Sequence, residues 1–236
     1  MSIAKGGSSA SKIYLGSSEV TKIYKGDTLV YSSGPAPLPY DAEVEWLGSS
    51  GTEYIQLPLS VAKATYVCLD FVCKLSYDSS RTTKNRYAIF GASPWAQMNA
   101  DYYSYNSSLD RVTFSSYCGN STTSGGVILN CDKKMTVEFS TTGIWGTDED
   151  GVTVQDKPLS RPTTAAITAF RIFGGYRTTY RYPIKYYSFK ITVGNDVVYD
   201  LIPVRKDGVG YLYDKIGGEL YGNAGTGSFT YGSDVV

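Results

Sequence analysis

The 236-residue sequence contains no histidine. This absence excludes histidine-based catalytic triads, histidine general bases and most catalytic zinc sites, because each of them needs an imidazole. The 22 acidic and 22 basic side chains cancel to a formal net charge of zero, so the chain lacks the basic character that predicts nucleic-acid binding. No hydrophobic run is long enough to span a membrane, and the opening MSIAKGGSSA has no apolar segment like that of a signal peptide. We therefore expect synthesis in the cytoplasm without a signal peptide.

Cysteine is also scarce, with four residues and no CxxC pair. In a chain of this length an even number of cysteines does not by itself predict a disulfide framework. Cys68 and Cys73 are five positions apart on a predicted strand, so their side chains point to opposite faces and cannot bond to each other there. We interpret these two, together with Cys118 and Cys131, as small hydrophobic residues, and we expect no metal and no other cofactor.

The N-terminal region repeats one motif, as KIYLGSSEV at 12–20 and KIYKGDTLV at 22–30. In each copy a glycine and a polar residue separate two apolar runs. This pattern predicts a type II′ hairpin turn, because glycine accepts the positive φ of the first central position. Such turns would place Ile13 opposite Val20 and Leu29 opposite Tyr24. We predict a three-stranded β-meander within residues 1–33 that acts as an attachment element, since three short strands are marginally stable unless their apolar face is covered.

A proline-rich linker is predicted at residues 34–39, where three prolines favour an extended and fairly stiff connection. Beyond it, residues 40–236 contain short strand-like runs separated by Gly, Ser, Asn and Asp clusters. The clearest runs are 65–77 and 185–193, in which apolar residues alternate with mostly polar ones. In the second run the residues expected on one buried face are Tyr187, Phe189, Ile191 and Val193. No window has a helical period with caps, so we predict an all-β fold, an antiparallel β-sandwich or jelly roll.

The C-terminal segment predicts its own local structure. Pro203 should stop the strand before it, and Lys206 to Gly208 should form a turn. Further strands are expected at 210–213 and 219–221, around a second turn at Gly217 and Gly218. The final loop is expected to use Asn223, Gly225 and Gly227 at its tight positions.

Two segments carry a resemblance to a known family, WLGSSGTEYIQLPL at 46–59 and DLIPVRKDGVGYLYDKIGGELYGNAGTGSFTYG at 200–232. They resemble the two ends of a concanavalin A-like (laminin-G-like) jelly roll in phage and prophage tail-associated proteins of gut bacteria. The KIYxGxxxV repeats are similar to short N-terminal elements of the same kind of phage structural protein. The resemblance implies a concanavalin A-like β-sandwich over residues 40–236. It also implies a location in the virion, or outside the cell after lysis, with other virion or tail proteins as partners.

Acidic residues offer two candidate sites of other kinds. A glycoside hydrolase needs only two carboxylates, and Asp41, Glu43 and Glu45 in DAEVEW would share one strand face. Their order departs from the E-x-D-x-E spacing of laminarinase-type glucanases of the same fold, so we expect a solvated edge strand and no enzyme activity. The acidic stretch from Asp148 to Asp150 lacks the spaced ligands of a calcium loop. We interpret it as a polar hairpin tip, with calcium binding as the alternative.

Aromatic residues are abundant, with 22 tyrosines and 3 tryptophans, and many of them lie in predicted loops. The richest loops are SPWAQMNADYYSYNSS at 93–108 and GGYRTTYRYP at 174–183. Flat aromatic faces stack on sugar rings while neighbouring polar groups bind the hydroxyls, and the same residue types also serve protein interfaces. The candidate ligand-binding residues are Trp95, Tyr102, Tyr103, Tyr105, Asn106, Tyr176, Arg177, Tyr180 and Arg181.

These patterns predict a non-catalytic binding module of a phage or prophage tail or surface structure. Its expected ligand is a glycan or a bacterial surface receptor, and a second copy of the chain is a further candidate partner. Neither nucleic acid nor a membrane span is expected. The main alternative is a purely structural virion component without glycan binding, and a glycoside hydrolase is the third interpretation.

Overall fold

A computed structural model describes residues 13–32, 38–59, 69–77, 90–93, 101–102, 111–115, 117–118, 121–122, 127–130, 134–139, 144–151, 153–155, 169–174 and 184–235. Every structural statement below concerns these residues. The chain divides into two compact units, Met1–Pro39 and Tyr40–Val236. Within the described ranges the regular elements are all β-strands, every strand pair is antiparallel, and no helix is present that could cross a membrane. The prediction of an all-β fold is therefore confirmed.

The first unit consists of two hairpins. They are formed by β1 (Ile13–Leu15) with β2 (Ser18–Val20), and by β3 (Lys22–Lys25) with β4 (Thr28–Ser32).

Both turns in this unit have the predicted type. Gly16 has φ 65° and Gly26 has φ 63°, whereas the residue after each glycine does not have a positive φ, as a type II′ turn requires. The predicted partners also face each other, Ile13 with Val20 and Tyr24 with Leu29.

The expected middle strand is divided at Thr21, with β2 paired to β1 and β3 paired to β4. The residues that would lie along the other edges of β2 and β3 in a three-stranded meander fall outside the described ranges. The three-stranded meander therefore stays a prediction.

The second unit contains nineteen described strands. They are β5 (Ala42–Glu43), β6 (Leu47–Ser49), β7 (Ile55–Leu57), β8 (Leu69–Tyr77), β9 (Phe90–Ser93), β10 (Asp101–Tyr102), β11 (Arg111–Ser115), β12 (Tyr117–Cys118), β13 (Ser121–Thr122), β14 (Val127–Asn130), β15 (Met135–Phe139), β16 (Ile144–Asp148), β17 (Thr153–Gln155), β18 (Ala169–Ile172), β19 (Ile184–Val193), β20 (Asp196–Lys206), β21 (Val209–Asp214), β22 (Leu220–Tyr221) and β23 (Thr230–Tyr231).

Eleven of these strands form one large sheet in the order β17-β16-β15-β8-β19-β20-β21-β22. In addition, β6 pairs with β19 and β23, and β5 pairs with β20. Smaller sheets are formed by β7-β18-β9, by β10-β11-β14 and by β12-β13.

Aromatic side chains join the sheet β7-β18-β9 to the large sheet. The rings of Phe90 and Phe170 lie 5.6 and 5.9 Å from the ring of Phe189 on β19. Phe173, which follows β18, packs edge-on against Tyr186 with the ring centroids 4.7 Å apart. All five side chains are fully buried. The core therefore lies between two layers of antiparallel strands, as in a β-sandwich.

The buried face of β19 differs from the alternation expected from the sequence. Phe189 and Ile191 are fully buried as predicted, but Tyr186 is buried in place of Tyr187, and Val193 is only half-buried. The pairing of β19 with β8 shifts register between Tyr186 and Ser188, which marks a β-bulge. One extra residue reverses the facing of the strand beyond it, so Tyr186 and Phe189 both reach the core.

Pro203 does not stop a strand, contrary to the prediction. It lies inside β20, opposite Leu212 of β21. Along the other edge of β20, pairing with β19 ends at Leu201 and pairing with β5 begins at Val204. Pro203 therefore lies where the partner on that edge changes, and its carbonyl accepts from the Val44 N–H at 3.0 Å. The missing N–H of proline is tolerated at this point.

The predicted turn after β20 is confirmed, with positive φ angles of 50° at Asp207 and 73° at Gly208. These angles match the type I′ turn that the Asp-Gly pair favours. The strands expected on the C-terminal side are also present, as β21 and β22.

Candidate functional site

The solvent-facing side of the large sheet presents two exposed lysines. Met135 and Tyr186 are fully buried and lie in one row across the sheet, because both align with Leu75 of β8. Lys185 precedes Tyr186 within β19 and so points to the opposite face, and Lys134 immediately precedes β15. Both are exposed.

Trp46 lies beside Lys185 on this outer face. Lys185 aligns with Gly48 of β6, and Trp46 precedes Gly48 by two residues and so shares its face. A Cβ atom at Gly48 would lie 3.0 Å from Trp46 Cζ3, and one at Gly232 would lie 2.7 Å from Trp46 Nε1. The two glycines thus leave room for the indole to lie against the backbone. The ammonium of Lys185 is 4.1 Å from the centroid of the ring.

Tyr187 makes the equivalent contact with the other lysine. The β-bulge of β19 takes Tyr187 out of the buried row, and Lys134 Nζ lies 4.5 Å from the centroid of its ring. Both distances are within the range of cation–π interactions. We call Trp46, Lys134, Lys185 and Tyr187 the outer-face band.

The two ammonium groups of the outer-face band lie against aromatic rings. In the part of the chain that the structure describes, neither Lys134 nor Lys185 forms an ion pair, whereas Arg205 and Lys215 do. Each ammonium has three N–H donors and no acceptor. The band combines positive charge with flat aromatic surface. It is therefore suited to holding an anionic or amphipathic ligand.

A buried carboxylate orders the loop of the first segment that carries the family resemblance. Glu53 is 2% exposed and accepts hydrogen bonds from the backbone N–H of Ser50 at 2.7 Å and the hydroxyls of Ser49 and Thr52 at 3.0 Å. Burial alone would raise the pKa of Glu53, but the hydrogen bonds from its own backbone and from Ser49 and Ser50 outweigh burial and lower it.

The loop around Glu53 is bonded to the C-terminal loop. The N–H of Ala224 donates to the carbonyl of Tyr54 at 2.8 Å, and the N–H of Thr226 donates to that of Thr52 at 3.3 Å. Gly227 has φ 83°, and a Cβ atom there would lie 2.5 Å from Glu53 Oε1. The carboxylate therefore orders the loop and excludes a larger residue at position 227.

The acids of DAEVEW are exposed at alternate positions, as predicted. Asp41 accepts a hydrogen bond from the N–H of Asp207 at 2.8 Å and lies 3.5 Å from a guanidinium nitrogen of Arg205. Glu43 accepts from the Tyr40 hydroxyl at 3.0 Å, and burial together with this bond raises the pKa of Tyr40 to about 12. Two of the three carboxylates thus hold neighbouring chain segments in place.

The acidic stretch near residue 150 forms a turn between β16 and β17, as predicted, and Glu149 and Asp150 are exposed. Among the residues that the structure describes, no group of three or more Asp, Glu, Cys or His side chains could hold a metal ion.

Most of the predicted ligand-binding residues lie outside the described residues. The backbone of Tyr102 is described, in β10 opposite Phe114. The others outside the described ranges are Trp95, Tyr103, Tyr105, Asn106, Tyr176, Arg177, Tyr180 and Arg181. For these eight residues ligand binding stays a prediction.

No residue of the outer-face band is among the ligand-binding candidates predicted from the sequence. The sequence did contain one indication of this site, because Gly48 lies two positions after Trp46. On one strand face this spacing puts a large ring next to a residue without a side chain. Lys185 is remote from Trp46 in sequence, and only the strand pairing brings them together. No known protein-family model matches the chain, and a search of curated proteins finds none with significant similarity.

Proposed function

We propose that this chain is a non-catalytic binding module with a concanavalin A-like jelly roll, carried by a phage or prophage tail or surface structure, and that it recognises a carbohydrate or another component of a bacterial surface. The outer-face band is the observation that carries the proposal. Lys185 and Tyr187 lie in β19, and Trp46 and Lys134 immediately precede β6 and β15; sites supported by strands hold their geometry better than sites on loops.

The acidic side chains Asp41 and Glu43 are already bonded to neighbouring residues, which supports binding without cleavage. A glycoside hydrolase needs one carboxyl group to donate a proton and a second carboxylate to act on the opposite side of the scissile bond. Asp41 is bonded to the Asp207 N–H and lies beside Arg205, and Glu43 is bonded to Tyr40. These contacts give both acids a structural role.

The phage origin rests on the resemblance of residues 46–59 and 200–232 to tail-associated proteins. These two segments contact each other through backbone hydrogen bonds between the Thr52–Tyr54 loop and the Ala224–Thr226 loop.

One observation favours the alternative of a purely structural component. In the N-terminal unit, Leu15 is 68% exposed and Tyr24 is 56% exposed. Exposed apolar side chains of this size suit contact with another protein. Attachment through this unit is compatible with either function.

A glycan array of bacterial surface saccharides tests the proposal. The wild type should bind at least one saccharide, and Trp46→Ala should weaken that binding. The double variant Trp95→Ala, Tyr180→Ala tests the predicted loops independently. A sugar-release assay with wild type and Glu43→Gln should show no product for either protein. Wild-type binding to nothing on the array would favour the structural alternative, and release that Glu43→Gln abolishes would favour a hydrolase.

A further inference from the structure

The outer-face band also indicates the chemical class of its ligand. Lys134 and Lys185 lie on opposite sides of β8: Lys185 aligns with Ser76, and Lys134 directly precedes Met135, which aligns with the adjacent Leu75. Neighbouring strands are about 4.8 Å apart, so the two backbones are roughly 10 Å apart. The band is longer than a single small anion.

The two lysines differ from Arg205 and Lys215, which are paired with carboxylates. Arg205 lies 2.7 Å from Asp234, and Lys215 lies 3.2 Å from Asp200, so these charges are already compensated. Within the described ranges, Lys134 and Lys185 have no carboxylate within salt-bridge distance, and each ammonium rests on an aromatic ring. Their positive charge is available to a ligand from solution.

The aromatic rings reduce the entropy that the two lysine side chains lose when they bind an anion. A free lysine side chain loses much rotamer freedom when it binds, whereas contact with Trp46 or Tyr187 already restricts it. Binding groups that are ordered before the ligand arrives give more affinity for the same contacts. The arrangement therefore favours an anion that meets both ammonium groups.

Hydroxyl groups lie next to the two lysines. Thr136 and Ser188 are half-buried and align with each other through Lys74 of β8, two positions from Ser76. Alternation places both hydroxyls on the outer face, since their neighbours Met135, Val137 and Phe189 are buried. Charge, hydroxyls and aromatic surface in one band match a sugar chain that bears carboxylates.

We propose that the outer-face band binds an acidic polysaccharide, whose carboxylates are recognised by the Lys134 and Lys185 ammonium groups while Trp46 and Tyr187 hold those groups in place. This inference rests on the proposed function, because it assumes that the chain binds a glycan. Beyond the proposed function, it specifies that the ligand is negatively charged and that Lys134 and Lys185 recognise that charge.

The test measures binding of the full chain to polygalacturonate, alginate and hyaluronate, each compared with its carboxyl-reduced neutral form. At least one acidic polymer should bind at least ten-fold more tightly than its reduced form. Lys134→Met and Lys185→Met should each weaken binding about three- to five-fold, as expected for one exposed ion pair. Lys185→Arg should retain binding because arginine keeps both the charge and the ring contact.

Lys206→Met is the matched control, because it removes the same charge from an exposed lysine outside the band, and it should leave affinity unchanged. Thermal transitions of all variants should match that of the wild type. The site assignment is overturned if both band variants bind like the control. Equal affinity for the acidic and reduced polymers, or for neutral glycans alone, would overturn this inference while leaving the proposed function intact. Equal binding of a single-stranded DNA oligonucleotide would overturn the assignment to a saccharide, and binding of no glycan would overturn both.

Discussion

Substitution of Glu53 by glutamine perturbs the most highly bonded buried carboxylate that the structure describes. The side chain is 2% exposed. Oε2 accepts from the Ser50 N–H at 2.7 Å, from the Ser49 hydroxyl at 3.0 Å and from the Thr52 N–H at 3.3 Å. Oε1 accepts from the Thr52 hydroxyl at 3.0 Å. Glutamine keeps the shape of the side chain, but one oxygen becomes an NH₂ group that cannot accept, and the charge is lost.

The magnitude follows from the change in hydrogen-bond type. A bond to a charged acceptor contributes about 1 kcal/mol more than a neutral bond. Several such bonds weaken in Glu53→Gln, and relief from burying a charge offsets part of the loss. We expect the free energy of unfolding to fall by about 2 kcal/mol.

Urea denaturation followed by tryptophan fluorescence measures this difference. Glu45→Gln is the control, because Glu45 is exposed on the neighbouring segment, and its effect should stay within about 0.5 kcal/mol. The pKa of Glu53 is lowered below its ordinary value of 4.5, so its contribution is complete above that pH and is lost as the pH falls through the lowered pKa. The difference in the free energy of unfolding between wild type and Glu53→Gln should therefore disappear in acid. Equal stability at pH 7, or a difference that persists in strong acid, would refute the reasoning.

Three further predictions concern the loops, the tyrosines and the N-terminal unit. Gly225→Ala should cost about 2 kcal/mol or more in urea denaturation, because its Cβ would collide with the carbonyl oxygen of Thr52. Gly194→Ala should lower the free energy of unfolding by about 1 kcal/mol, from its positive φ alone. A larger loss for Gly194→Ala than for Gly225→Ala would contradict the close contact between Gly225 and Thr52. Absorbance titrations of the wild type and of Tyr40→Phe should differ by one tyrosine that ionises near pH 12. Because that pKa is raised from 10.0, its stabilising contribution is complete below pH 10 and is lost as pH rises through 12. Deletion of residues 1–33 should leave a cooperative thermal transition, and an insoluble product would show that these residues belong to the core.

The sequence could predict those features that depend on a few adjacent residues. Glycines 16 and 26 fix their turns through positive φ, and Asp207 with Gly208 does the same between β20 and β21. Alternation along the chain gave the all-β class and the exposed acids of DAEVEW. In each case the physical cause is local, because turn geometry and side-chain facing depend on neighbouring dihedral angles.

Features that depend on distant partners could not be predicted in the same way. Pro203 looked like a strand end, but it is tolerated inside β20 because two different strands meet at that point. The pair Tyr186–Tyr187 gave no indication of which ring is buried, since the β-bulge depends on pairing with β8. Likewise, Lys185 becomes part of a candidate site only because β19 pairs with β6 beside Trp46.

The central claim is that this chain holds a surface saccharide and does not cut it. The most direct test incubates the full chain with a panel of bacterial surface polysaccharides and measures retained protein and new reducing ends in the same samples. The account predicts retention on at least one polysaccharide with no increase in reducing ends over a protein-free control. Retention on none, or an increase in reducing ends that grows with protein concentration, would contradict it.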